Sequence, residues 1–264
     1  MYFWTNEVKS GHTFVGFCNL FLAPHPIICM IKPGICGFCK SQKEIFEKIR
    51  LLEVQKTFYN PPLEKTVEKW RKRAPEDFEF TVKAWQVITH PASSPTYKKL
   101  TRALKNKENC GFFQPTKEVF DAFDTIVTIS RLLKARIIVF QTPARFKPTG
   151  ENIRNMEEFF SSVNREFVYV WESRGDWNPT VIKGICEELN LVDGCDPFKR
   201  APVTEQLYFR LHGSPPGKHM YSYTYTDEDL KRLYSFCGDK TYVLFNNITM
   251  YENALQFQKL IKTL

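Results

Sequence analysis

Short apolar runs and helical patterns take turns along this chain, and that alternation limits its possible folds more than any other feature. The run IKPGICGF (31–38) precedes a helix over Ser41–Ile49. LLEVQKTFY (51–59) precedes one over Leu63–Ala74. FEFTVKAWQVITH (78–90) leads through a long segment to a strongly helical stretch, Lys117–Lys134. RIIVFQTP (136–143) is followed by Glu151–Val163, and FVYVWESR (167–174) by Thr180–Leu189. A weaker strand, Leu191–Cys195, comes next. QLYFRLHG (206–213) leads through a loop to Asp227–Phe236, and TYVLFNN (241–247) to a last helix, Tyr251–Ile261. Strands of Val, Ile, Phe and Tyr that alternate with helices pair in parallel. Eight of them predict an α/β fold, a single closed (β/α)8 TIM-type barrel, and 264 residues suit one such domain. Long connections follow strands three (91–116) and seven (213–226). Thr226-Asp227-Glu228-Asp229 reads as a helix N-cap with acids in the first turn.

Met30 directly precedes the first strand, so the barrel is expected over 30–264. Residues 1–29 are expected to be an extension, a misassigned start or a disordered segment. Thr13–Ala23 is apolar but falls short of the ~20 residues that span a bilayer, so no membrane association is expected. Apolar residues at 43% and charged residues at 25% exclude a disordered chain. Eight scattered cysteines are too few for a disulfide scaffold and predict a reducing cytoplasm. Cys36 and Cys39 have metal-like or redox-like spacing, but a zinc site usually needs a second such pair. They are expected to fill the core, and no metal is assigned.

Polarity within the strands is the functional signal. Period-two alternation puts Glu53, Gln55, Thr57 and Tyr59 on one face of the second strand. Thr81, Lys83 and Trp85 share the inward face of the third. Val168, Val170, Glu172 and Arg174 share one in the fifth, and Tyr208, Arg210 and His212 one in the seventh. Gln141 closes the fourth strand, and Asn246 and Asn247 close the eighth. A charge on a buried strand is costly unless it is paired or hydrated. The repeated inversion therefore predicts a polar pocket at the C-terminal mouth, where barrel active sites lie. For Glu172 with Arg174 or Arg210, the competing expectation is a buried ion pair that closes the barrel.

The segments GICGF (34–38), TFYNPP (57–62), WRKRAPEDFEFTVKAWQVITHP (70–91), VFQTP (139–143), WESRGDW (171–177), YFRLHG (208–213) and YVLFNN (242–247) occur in an order and spacing that resembles the domain of unknown function 72 family, the YecE-like barrels. The resemblance covers nearly everything from Met30 onward. It implies a TIM-type barrel with polar groups at the strand ends, and no settled activity. One departure stands out. The family's fifth-strand motif usually reads Glu-Phe-Arg-His, whereas this chain has Glu172-Ser173-Arg174-Gly175.

Three cations, Lys83, Arg174 and Arg210, against the carboxylates Glu53 and Glu172 suit an anionic ligand, because guanidinium groups grip phosphate in two-point contacts. His212 and Glu172 are the expected acid and base. Lys83, Arg174, Arg210, Gln55, Tyr59, Gln141, Asn246 and Asn247 are expected to bind substrate. The leading expectation is a hydrolase-like or lyase-like enzyme for a phosphate-bearing or nucleic-acid substrate. The net charge of +8 fits such a partner, as does the basic run Lys98, Lys99, Arg102, Lys105 and Lys107. One alternative is a barrel that binds an anion or nucleic acid without chemistry. Another is a carbohydrate enzyme with Glu53 and Glu172 as paired carboxylates. No glycine-rich nucleotide-binding pattern occurs, and no cofactor is assigned.

Overall fold

The structure is a computed structural model that describes residues 30–263; the expectations for residues 1–29 lie outside the described residues. Eight parallel strands close into a barrel, with neighbours in sequence order and the last strand paired to the first. They are β1 (Met30–Cys36), β2 (Leu51–Val54), β3 (Glu79–Lys83), β4 (Ile137–Gln141), β5 (Val168–Glu172), β6 (Val192–Cys195), β7 (Leu207–Leu211) and β8 (Lys240–Phe245). The helices around them include α1 (Gln42–Lys48), α2 (Lys56–Tyr59), α3 (Glu64–Arg73), α4 (Gln86–Thr89), α5 (Lys117–Leu133), α6 (Gly150–Ser162), α7 (Pro179–Leu189), α8 (Asp227–Ser235) and α9 (Met250–Thr263). Segment 196–206, between β6 and β7, crosses without a helix. The long connections after β3 and β7 are present. Among the described residues, no helix is long and apolar enough to cross a membrane.

The helices follow from their sequences. In α5, Val119, Ala122, Phe123, Ile126, Val127, Ser130 and Leu133 are buried at helical spacing, which lays one apolar stripe on the sheet. The expected N-cap forms in α8 and is a capping box, with the Thr226 hydroxyl and the Asp229 carboxylate each taking the other's backbone N–H. The abundant phenylalanines also find their place. Phe113, Phe140, Phe159 and Phe160 pack edge-on or tilted, with centroids 5.0–5.8 Å apart, between β4 and its helices.

Inside the barrel the side chains form tiers. Leu51, Ile137, Val139, Val170, Tyr208, Tyr242, Leu244 and Cys36 make an apolar cluster through the middle. Cys36 therefore fills the core as expected, while Cys39 is exposed. Glu53 lies above part of this cluster, and the polar residues of the mouth lie above that.

Two strands end earlier than the sequence pattern predicts. After Val54 the backbone turns into α2, where the Thr57 hydroxyl shares its one hydrogen between the carbonyl oxygens of Val54 (2.8 Å) and Lys83 (2.6 Å). Such local bonds give the chain an alternative to the ladder. Tyr59 therefore stands on a helical turn rather than a strand face, with Lys99 Nζ 4.7 Å from its ring centroid. Beyond Lys83 the chain enters α4, and Trp85 joins the apolar core outside the barrel.

Candidate active site at the barrel mouth

Arg210 is the hub. Its Nε and Nη2 donate to Glu53 Oε2 (2.9 Å) and Oε1 (2.6 Å), and its Nη1 donates to Glu172 Oε2. Tyr208 Oη and Gln55 Nε2 also donate to Glu53. Both Arg210 and Glu53 are fully buried. This corrects the expectation that Arg210 grips substrate: it is the ion pair that closes the barrel beneath the pocket. Glu53 is likewise sealed from solvent and committed to Arg210, Tyr208 and Gln55, which counts against the paired-carboxylate alternative.

Above the hub, Glu172 Oε1 accepts from Arg174 Nε at 2.7 Å and lies 3.1 Å from His212 Nε2. Burial opposes the charge on Glu172, but Arg174, Arg210 and His212 outweigh it and hold the carboxyl well below the usual range. Glu172 is thus a fixed anion. Burial lowers the His212 pKa to about 4 against the pull of Glu172, so the imidazole is neutral near pH 7. Asn246 Nδ2 sits 3.1 Å from His212 Nδ1. Arg174 Nη2 also lies 3.0 Å from Nε2, and Arg174 remains only partly buried.

Lys83 occupies the opposite side of the mouth. Its Nζ donates to Gln141 Oε1 at 2.9 Å and lies 4.1 Å from the Phe58 ring centroid. Asn247 does not belong here, which corrects its assignment to substrate binding. One residue past inward-facing Asn246, it points outward and donates to the Tyr223 carbonyl (2.7 Å) and Asn253 Oδ1 (2.9 Å).

An open cavity of ≈ 220 Å³ lies on the β5–β7 side, and Glu172, Arg174, Gly194, Asp196, Lys199 and His212 are among its lining residues. A Cβ on Gly194 would approach Val170 Cγ1 to 2.8 Å and Glu172 Cβ to 3.3 Å, so the glycine lets β5 and β6 meet beneath the cavity. Of the predicted site residues, only Glu172, Arg174 and His212 line this space. Lys83, Gln55, Gln141 and Asn246 stand at the same mouth outside it.

Asp196 is the site residue that the sequence pattern does not single out. It follows β6 directly, and the alternation Val192, Gly194, Asp196 puts it on the inner face, one residue beyond the predicted end of the strand. Its Oδ1 accepts the Phe198 N–H at 3.1 Å, while Oδ2 is buried without a hydrogen-bond partner among the described residues. Burial raises its pKa to about 6, even though the backbone N–H groups of Phe198 and His212 favour the anion.

The missing family histidine also has a structural explanation. Gly175 has φ +88°, and a Cβ there would lie 2.7 Å from the Ala144 carbonyl oxygen. Any side chain at 175 requires a different path for this turn.

Fold and site together define a (β/α)8 barrel with a polar, partly cationic pocket at the strand ends. A profile described as "Protein of unknown function DUF72" matches residues 44–264, and the chain belongs to that family. The UPF0759 protein YunF of Bacillus subtilis (strain 168) is 25% identical over 237 residues, covering 75% of this chain and 77% of YunF. The crystal structure of a DUF72 family protein from Enterococcus faecalis V583 has a TM-score of 0.66 at 20% identity, over 88% of this chain and 98% of that one. Endonuclease IV from Thermus thermophilus shares the fold more distantly, with a TM-score of 0.51 at 10% identity, over 88% and 97% of the two chains.

Proposed function

We propose that this chain is a hydrolase-like enzyme whose pocket takes a phosphate-bearing substrate, either a small molecule or a nucleic-acid end. One observation carries the reading: a single cavity brings together a partly open guanidinium, Arg174, and a buried carboxyl with an unpartnered oxygen, Asp196. Arg174 is held in place by Glu172 and presents its remaining donors to an anion. Lys199, at the rim, adds a second positive charge.

Near pH 6 Asp196 exists in both protonation states. As the carboxylate it takes a proton from an attacking water, and as the acid it returns one to the leaving oxygen. His212 stays in the reading as a neutral imidazole beside the developing charge. Glu172 moves from acid–base work to positioning Arg174 and His212. Gln55, Tyr59, Gln141 and Asn246 supply neutral contacts across the mouth. At the level of the fold, the name of the Thermus endonuclease keeps a nucleic-acid substrate in view.

The test is a thermal-shift screen of phosphorylated metabolites, nucleotides and oligonucleotides, repeated on Arg174→Ala. At least one phosphate-bearing ligand is expected to raise the Tm of the wild type but not of the variant. No shift with any phosphate, or an equal shift in the variant, overturns the reading. If only oligonucleotides bind, with affinity falling steeply in salt and no turnover, the non-catalytic alternative replaces it.

A further inference from the structure

The network at the mouth leaves Lys83 over. Glu53 is shared among Arg210, Tyr208 and Gln55, and Glu172 among Arg210, Arg174 and His212. Lys83 forms no ion pair among the described residues; its one hydrogen-bonded partner there is the neutral oxygen of Gln141. The backbone beneath the amine is fixed, because Thr57 donates to the Lys83 carbonyl. The side chain is buried yet keeps 7% exposure, whereas Arg210 below it is sealed at 0%.

The charges facing this amine come from several strands: Arg210 from β7, Glu53 from β2, and Glu172 and Arg174 from the end of β5. His90, after α4, lies close by and is held neutral, mainly by its burial. Burial and Arg210 disfavour the ammonium form more than Glu53 and Glu172 support it, which brings the amine down to about 7. A lysine needed only for barrel closure would sit against a carboxylate. This one is shielded from bulk water, held by a neutral acceptor and placed at the open end of the barrel.

We propose that Lys83 is a nucleophilic amine that forms an imine with the carbonyl carbon of a small aldehyde or ketone. The nitrogen lone pair attacks that carbon and the carbonyl oxygen takes a proton, giving a carbinolamine. Loss of water then removes that oxygen together with both amine hydrogens and leaves a C=N bond. Once protonated, the imine draws electrons from an adjacent C–H or C–C bond, which is the chemistry of lyases and aldol-type enzymes. The inference goes beyond the phosphate-pocket reading and does not depend on it, since it requires a carbonyl and no phosphate.

The full-length protein is treated at pH 7 with glyceraldehyde and sodium cyanoborohydride, which delivers hydride to the imine carbon and leaves a stable secondary amine. Digestion and mass spectrometry then give a rate for each lysine. Lys83 is expected to react at least about ten-fold faster than exposed lysines such as Lys65, Lys69 and Lys98. Its rate should climb as the pH rises through about 7. Lys83→Met should lose the fast site, and Lys83→Arg, which keeps the charge, should lose it too. Labelling of Lys83 no faster than that of the exposed lysines overturns the proposal, and wild-type mapping alone decides this if the variants fail to fold. Glyceraldehyde 3-phosphate forms a second arm. Faster labelling with it supports both readings. Fast labelling by glyceraldehyde without any gain from the phosphate keeps the imine and counts against the anion site.

Discussion

The barrel interior carries polar groups at both ends, and the two ends are built differently. At the N-terminal end Lys32 pairs with Glu79 at 2.5 Å, and Tyr242 Oη donates to the other Glu79 oxygen at 2.8 Å. One cation meets one anion, and both stay partly exposed, at 35% and 23%. At the C-terminal end two carboxylates surround a sealed Arg210, while Lys83 and Asp196 are left without opposite charges of their own. The lower set closes the barrel with little stored energy. The upper set keeps ionisable groups displaced from their ordinary titration ranges beside an opening, which is how functional sites differ from structural ion pairs.

Three substitutions would sharpen or break that contrast. Arg210→Ala leaves Glu53 and Glu172 buried and uncompensated. It should cost about 3–5 kcal/mol in denaturant unfolding at neutral pH, and a loss below about 1 kcal/mol would show that the hub holds nothing together. Asp196→Asn should stabilise the protein at pH 7 by roughly 1–3 kcal/mol. The sign follows from a folded pKa raised to about 6 from the ordinary 3.8. Between those values the folded state binds more protons than the unfolded one, so wild-type stability falls as pH rises. The gain should therefore vanish below about pH 4, and an equal gain at pH 3.5 and pH 7 would contradict the assignment. Lys32→Ala should cost less than about 1 kcal/mol, the usual worth of a partly exposed pair. A loss comparable to that of Arg210→Ala would erase the distinction between the two ends.

Much of the architecture is legible in the order of the amino acids. The alternation of strands and helices specifies the barrel, because strands buried on both faces must be apolar over short runs joined by crossovers. Period two places Glu172, Arg174, His212 and Asn246 on the inner face. The same rule, carried one residue further, excludes Asn247 and admits Asp196. Tyr59 escapes the rule because its strand ends at Val54, where the Thr57 hydroxyl shares its hydrogen between two carbonyls, one of them from a neighbouring strand, and no local pattern announces that. Arg210 lies on the expected face at an unexpected depth. Alternation tells inward from outward, but height within the barrel depends on how the strands are staggered, which appears only once their pairing is known.

Segment 196–206 fastens itself without helical scaffolding. Arg200 clasps buried Asp193 through two 2.6 Å bonds, and Asp193 also accepts the Val203 N–H. Arg200 lines the cavity beside Asp196 and Lys199, so the buckle also ties the pocket wall to β6. Residues 196–199, ahead of the buckle, can therefore change character without loosening the loop's hold on β6. Divergence in what these barrels accept should accumulate there first, as a change of lock face on an unchanged door.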